Sequence, residues 1–261
     1  MNFIRLINQG PAHAFFNMAL DEAISEYVRQ KASPPTLRLY LWDRPSLSIG
    51  CFQKISEVDT GYCDTMGYPV VRRQTGGRAV LHASELTYSF STAYNSHNFK
   101  GSLLDDYSVI SHALLSALKS KGIDAEASFN RKRSNGRRHP ACFRAVSFGE
   151  ISVGGKKVIG SAQKRYKDGF IQHGSILFGC NAEELGRVLG HEYKDSLKAI
   201  GALKDYCSGL SFDDLRTSLK EAFERSLHVK LISDNPARTE LALAKKLEQT
   251  KYSTCEWNFS R

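Results

Sequence analysis

The hydrophobic pattern of the chain predicts an α+β domain built on a largely antiparallel sheet flanked by helices. Three observations carry that expectation. Short segments of alternating, β-favouring residues recur along the chain, several are joined by dipeptides that favour tight reversals, and other stretches repeat their apolar residues at helical spacing. No linker, internal repeat or low-complexity tract separates them, so residues 1–261 are read as one catalytic-sized domain with no separate accessory domain.

After an opening strand at Phe3–Ile7, Leu20, Ala23, Ile24, Tyr27 and Val28 fall on one helical face that fades near Pro34-Pro35. Leu37–Trp42 and Ser46–Cys51 alternate around Asp43-Arg44-Pro45 and read as a hairpin. Tyr68–Arg73 and Arg78–His82 read as strands flanking a turn at Gln74-Thr75-Gly76-Gly77, and Leu86–Thr92 as a further strand. Ser102 with Asp105 has the form of a capping box, followed by a helical face of Tyr107, Ile110, Leu114, Leu115 and Leu118 that stops at Gly122. Residues 130–139 are polar and strongly basic, an exposed loop leading to Pro140-Ala141-Cys142-Phe143. Two hairpins follow, Glu150–Val153 with Lys156–Ile159 about Gly154-Gly155, and Gln163–Lys167 with Phe170–Leu177 about Asp168-Gly169. A helix then starts after Ser211 along Leu215, Leu219, Phe223 and Leu227, and Asn235-Pro236 has the form of an N-cap with a first-turn proline.

With 41% hydrophobic and 24% charged residues the composition is that of an ordinary globular protein, which excludes disordered and fibrous classes. No apolar run approaches the roughly 18 residues of a membrane span, and Met1–Gly10 lacks the form of a signal peptide, so cytoplasmic residence with no membrane partner is expected. The six cysteines form no C-x-x-C pair or Cys/His cluster, so no metal is expected and most are read as reduced core thiols. The net charge of +9 favours an acidic partner without saying which.

The segment Arg72-Arg73-Gln74-Thr75-Gly76-Gly77-Arg78-Ala79-Val80-Leu81-His82 resembles the RRxTGGRAVLH signature of the lipoate and octanoate attachment enzymes, the biotin/lipoate A/B protein ligase group. Glu85-Leu86-Thr87-Tyr88-Ser89 continues that pattern, and Asn17-Met18-Ala19-Leu20-Asp21-Glu22-Ala23 resembles the group's first-helix signature. Gly155-Lys156-Lys157-Val158-Ile159-Gly160-Ser161-Ala162-Gln163 is similar to its lysine-bearing GxKxxGSAQ hairpin, and Gln172-His173-Gly174-Ser175 to the segment after it. The resemblance implies the α/β sandwich of the biotin/lipoate ligase catalytic fold. It also implies that the acyl chain and the carrier lysine lie near Arg73, Gly76, Gly77, Arg78, His82, Gly160, Ser161 and Ala162.

Within the group, Cys142-Phe143 paired with Lys157 is similar to the cysteine-dependent octanoyltransferases that act on the glycine cleavage H protein. That branch implies octanoyl-acyl carrier protein as donor, a Cys142 thioester, a lipoyl-domain or H-protein lysine as acceptor, and no cofactor. A thiolate attacks a thioester without ATP if nearby positive charge stabilises it, and Lys157 is the expected supplier of that charge. Backbone N–H groups around Gly76 and Gly77 are expected to help polarise the acyl carbonyl.

Three alternatives stay open. An ATP-dependent lipoate ligase would use the same glycine turn without a cysteine. Against it, ligases resemble the motif with a further glycine where Arg78 stands, and the residues after Leu210 are few for their accessory domain. A lipoyl or octanoyl amidotransferase between carriers is the second. The third is a nucleic-acid module using Arg131, Lys132, Arg133, Arg137 and Arg138, but that loop lacks aromatic platforms, so no nucleic acid is expected and docking of acidic carrier proteins is preferred. His82 and His173 invite a Cys-His reading, but hydrogen-bonded structural roles are favoured, and Cys51 and Cys180 are read as buried, inert thiols. Ala83 in place of an acidic residue, Val146-Ser147-Phe148-Gly149 after the cysteine and the basic insertion before it depart from the group's pattern.

Overall fold

Alternation along Thr36–Trp42 divides the residues between two faces: Leu37 and Leu39 enter one hydrophobic cluster, while Tyr40 and Trp42 enter another on the opposite side of the sheet. The structure is a computed structural model that describes residues 3–96, 99, 101–129, 149–189 and 197–261. In chain order its elements are β1 (Phe3–Ala12), α1 (Ala14–Arg29), β2 (Thr36–Trp42), β3 (Ser46–Ile49), α2 (Thr60–Met66), β4 (Val70–Arg72), β5 (Val80–His82), β6 (Glu85–Ala93), α3 (Leu103–Lys119) and β7 (Ala125–Ser128). Then come β8 (Glu150–Val153), β9 (Lys156–Arg165), β10 (Gly169–Leu177), α4 (Ala182–Leu189), α5 (Phe212–Leu227), β11 (Lys230–Ser233), α6 (Arg238–Leu247) and α7 (Cys255–Asn258).

An eight-stranded sheet runs β11-β1-β2-β6-β10-β9-β8-β7, with α3 packed on α5 over one face and α1 packed on α6 over the other. From β2 to β7 every pairing is antiparallel, and only the β11-β1-β2 edge is parallel, which matches the α+β expectation. A second, three-stranded sheet of order β4-β3-β5 packs with α2 and α4 around a third cluster that includes Leu47, Ile49, Val70, Leu185 and Val188. Among the described residues no helix is long and apolar enough to cross a membrane.

Three local expectations are corrected. The segments around Asp43-Arg44-Pro45 do not form a hairpin: β2 already has β1 and β6 on its two edges, so the chain leaves the large sheet and β3 founds the small one. The hairpin at Asp168-Gly169 turns over four residues, with Tyr166 N–H donating to Gly169 O at 2.8 Å, because Gly169 already belongs to β10. The last long helix is capped by Ala237 rather than Asn235, since the Glu240 carboxylate accepts the Ala237 N–H at 2.7 Å while forming a buried ion pair with Arg5. Ser102 and Ser211 do cap α3 and α5, accepting from the N–H groups of Asp105 and Asp214. Gly154 and Gly155 turn the β8/β9 hairpin with φ of +55° and +74°.

Candidate active site

The loop between β4 and β5 carries Gln74 to Gly77 across the end of β3, because its two strands flank β3 on opposite edges. Several hydrogen bonds fix its shape. Arg73 folds inward and donates to Gly76 O at 2.8 Å, to Arg78 O at 2.7 Å and to Ser48 Oγ at 3.1 Å. Cys51 N–H donates to Thr75 O at 2.9 Å, and Tyr166 OH to Gln74 Oε1 at 2.6 Å. Gly77 has φ +95°, and a Cβ there would stand 2.7 Å from Arg73 Nη2, so both the backbone angle and the inward arginine require glycine.

Opposite this turn, β9 contains a bulge. Ile151 pairs with Ile159 but Ser152 pairs with Lys157, leaving Val158 as the extra residue. The displaced Lys157 backbone bonds instead to Ala199 O at 2.8 Å and accepts from Gly201 N–H at 2.9 Å. Its ammonium pairs with Glu150, the first residue of β8. A Cβ on Gly160 would lie 2.9 Å from Lys157 Cε and 3.2 Å from Nζ, so the space left by this glycine is filled by the lysine side chain itself. Ser161 is held from two sides, its Oγ accepting from Tyr88 OH at 2.7 Å and its carbonyl from Tyr107 OH at 3.0 Å.

Between the turn and β9 lies a cavity of about 690 Å³, open to solvent and lined mainly by apolar surface, including Met18, Trp42, Val80, Ala162 and Leu177. Arg73, Gly77, Arg78, His82, Lys157, Gly160, Ser161 and Ala162 all line it, and Gly76 sits in the same turn. Arg78 is half-buried and paired with Glu57 at 2.7 Å. Cys142 and the basic segment 131–139 lie outside the described residues.

Two buried polar chains back the cavity. In the first, His173 Nε2 is 2.6 Å from Thr75 Oγ1, and its Nδ1 lies 3.5 Å from Asp21 Oδ2. Asp21 also accepts from Arg38 at 2.7 Å and from Tyr40 OH at 2.9 Å. Burial alone would raise the Asp21 carboxyl, but the Arg38 charge and His173 outweigh it and hold it below its ordinary value. Burial pushes the His173 imidazole below its ordinary value, with Asp21 opposing. In the second, His82 is hydrogen-bonded through one ring nitrogen to Glu85 and through the other to Ser48, and stacks on Trp42 at 3.9 Å between centroids. Both histidines thus have the hydrogen-bonded placement favoured from the sequence.

Sequence reasoning missed Glu150, Ser48, Trp42 and Glu85 as site residues. Glu85 stood in the quoted motif, three residues after His82, but nothing in the spacing of Ser48, Trp42 or Glu150 singled them out. The thiol expectations are corrected: of the described cysteines only Cys63 is fully buried, Cys51 and Cys207 are half-buried, and Cys180 and Cys255 are exposed. Cys51 and Cys180 follow the ends of β3 and β10, where strand alternation no longer turns a residue inward. Burial pushes the Cys51 thiol up, and the charges of Lys164 and Arg73 offset only part of that.

The family model for the lipoyl protein ligase A/B catalytic domain matches residues 13–224, which include every residue lining the cavity. The chain belongs to the lipoyl protein ligase A/B catalytic domain family. Among curated relatives, the octanoyltransferase LipM of Carboxydothermus hydrogenoformans is 39% identical over 253 residues, covering 93% of each chain. The octanoyltransferase LipM of Bacillus subtilis is 35% identical over 98% of each chain. Among solved structures, a lipoate-protein ligase A bound with ATP aligns with TM-score 0.85 at 27% identity, covering 99% of both chains. The bipartite lipoate protein ligase of Thermoplasma acidophilum, described with its E2 lipoyl domain, aligns with TM-score 0.82 at 25% identity over 99% of this chain and 97% of that one. In this member of the family the C-terminal residues beyond the match complete the same layers, β11 pairing with β1 and α6 packing on α1.

Proposed function

We propose that the protein is an octanoyltransferase of protein lipoylation, an acyltransferase that moves octanoyl from acyl carrier protein to a lysine of a lipoyl carrier such as glycine cleavage H protein. The observation that carries this reading is one apolar cavity in which the glycine turn faces Lys157, in a chain similar over nearly its whole length to octanoyltransferases. The apolar wall suits a medium fatty chain, and a cationic lysine beside it suits stabilising the charge that develops on an acyl carbonyl.

In the first step the Cys142 thiolate attacks the donor thioester, forming a new C–S bond as the carrier thiol leaves. In the second, the acceptor amine attacks that thioester, forming the C–N bond as Cys142 departs. Lys157 stabilises the thiolate and the oxyanion of each step. No resident cofactor is required, and reduced thiols suit a cytoplasmic setting. The basic segment 131–139 is assigned to docking the acidic carriers.

Likeness to a ligase crystallised with ATP keeps one competing reading in view, activation of free acid as an adenylate. Intact-protein mass spectrometry after incubation with octanoyl-acyl carrier protein separates the two. A hydroxylamine-labile octanoyl adduct, absent in Cys142→Ser, is expected. No adduct, with carrier modification only when free octanoate and ATP are supplied, would mean a ligase. Transfer from an already octanoylated carrier, but not from acyl carrier protein, would mean an amidotransferase between carriers.

A further inference from the structure

Ser48, His82 and Glu85 form a hydrogen-bonded row that the two steps above leave without a task. His82 Nδ1 lies 2.6 Å from Glu85 Oε1, and its Nε2 lies 2.7 Å from Ser48 Oγ. Ser48 Oγ also accepts from Arg73 Nη1 at 3.1 Å. A guanidinium only donates, so the serine hydroxyl is free to point its own proton at His82 Nε2, and the ring proton then sits on Nδ1 toward the carboxylate. This places a basic imidazole nitrogen behind a serine hydroxyl at the cavity wall, since both Ser48 and His82 line the cavity.

The ring is enclosed by a hydrogen-bonded carboxylate on one side and an aromatic face on the other. Glu85 also accepts from Thr87 Oγ1 at 2.7 Å, and Thr87 accepts from Trp42 Nε1 at 2.8 Å. Burial by itself would raise the Glu85 carboxyl, but His82 outweighs it and keeps the acid below its ordinary value. The Trp42 face lies 12° from parallel to the imidazole, a position that stabilises a cation. Ser48, His82 and Glu85 are 1%, 6% and 2% exposed, so little water competes for these bonds. A purely structural role explains less. β3 and β5 are already joined by their backbone ladder, which spans Ser46–His82 and Ser48–Val80, and a buried carboxylate is an expensive fastener for paired strands.

We propose that Ser48, His82 and Glu85 are the proton relay for amide formation, an assignment that rests on the acyl-transfer reading. As the acceptor amine forms its C–N bond and the acyl C–S bond breaks, the amine proton passes to Ser48 Oγ while the Ser48 proton passes to His82 Nε2. Glu85, a positioning residue, holds the ring and stabilises the imidazolium. The proton then returns from His82 to the departing thiolate, so the cycle closes without another reactant.

The test starts from purified octanoyl-enzyme and compares two nucleophiles in single turnover. The carrier amine, having lost its ammonium proton to water, must shed a second proton as its C–N bond forms, and that one the relay takes, whereas hydroxylamine is neutral near pH 7 and attacks thioesters unaided. His82→Gln, Glu85→Gln and Ser48→Ala should each slow transfer to the carrier lysine by about 10² to 10⁴-fold, the usual worth of general-base catalysis, with hydroxylamine cleavage little changed. Equal slowing of both nucleophiles, or of neither, would overturn the relay. Ser48→Ala removes one oxygen and covers the case in which the histidine variant fails to fold. If the native protein forms no octanoyl-enzyme, the cysteine reading is what has failed. Supplying octanoyl adenylate as the acyl source then tests the relay in the same variants by the same lysine-to-hydroxylamine ratio.

Discussion

Replacing Gly160 by alanine separates the placement of Lys157 from the stability of the sheet. The new Cβ would stand 2.9 Å from Lys157 Cε and 3.2 Å from Nζ, and both atoms belong to the far end of a flexible side chain. Carbon atoms settle at about 3.5 to 4.0 Å, so the side chain must swing away by the order of 1 Å. Gly160 is in the extended backbone of β9 with no positive φ, so alanine fits the strand, and losing the glycine's unfolded-state freedom stabilises by about 0.4–1 kcal/mol. The thermal midpoint should therefore hold or rise by a few degrees, at about 2–4 °C per kcal/mol for a chain of this size. A misplacement of about 1 Å in a reacting group costs up to about 10²-fold in rate, which corresponds to about 2.7 kcal/mol of barrier. The assay pairs a thermal melt with the rate of octanoyl transfer to a lipoyl carrier, using Lys157→Ala to mark the largest loss available. Gly174→Ala is the contrast. Its Cβ would meet Gly160 O, Ser161 Oγ and Tyr88 Cε1 at 2.6 Å, and the β9 backbone cannot yield, so stability and activity should fall together. A Gly160→Ala protein with native transfer rate, or one that unfolds as readily as Gly174→Ala, would refute the argument.

Two further expectations follow from the polar chain behind the glycine turn. Asp21→Asn breaks a buried ion pair with Arg38 in which both side chains are 1% exposed, and should cost about 3–5 kcal/mol by chemical denaturation at neutral pH. A change no larger than that of a surface substitution would mean that Tyr40, His173 and Asn17 carry the load without it. Because His173 titrates lower when folded than when unfolded, the unfolded chain takes up the proton first as pH falls below about 6.5. Its stabilising contribution is complete above that value and is lost as pH drops through the folded-state pKa. His173→Gln should flatten the fall of melting temperature across that window, and an unchanged slope would exclude His173 as its source.

The contrast between the β8/β9 hairpin and the reading of Asp43-Arg44-Pro45 explains what was legible. Gly154 and Gly155 take positive φ for reasons local to the turn, so the dipeptide announced the reversal correctly. At residues 43–45 the local signal for a reversal was equally plain, but the partner of β3 was decided by β1 and β6 having already taken both edges of β2. The cap of α6 failed for the same reason. Glu240 sits at the third helical position because it must reach Arg5 across the sheet edge, a distance of 235 residues in sequence.

By itself the sequence determined the α+β class, the main helices with their serine caps, the glycine turn and the lysine hairpin, because each depends on neighbours within a few positions. Only the tertiary structure decided that Lys157 is turned by a bulge into the space above Gly160 and paired with Glu150. It alone also set Ser48 and Glu85 on the two sides of His82, with Ser48 34 residues from that histidine in sequence. Contacts of that kind depend on which strands become neighbours. Chain topology and the burial of whole faces settle that choice, so no spacing along the chain records it.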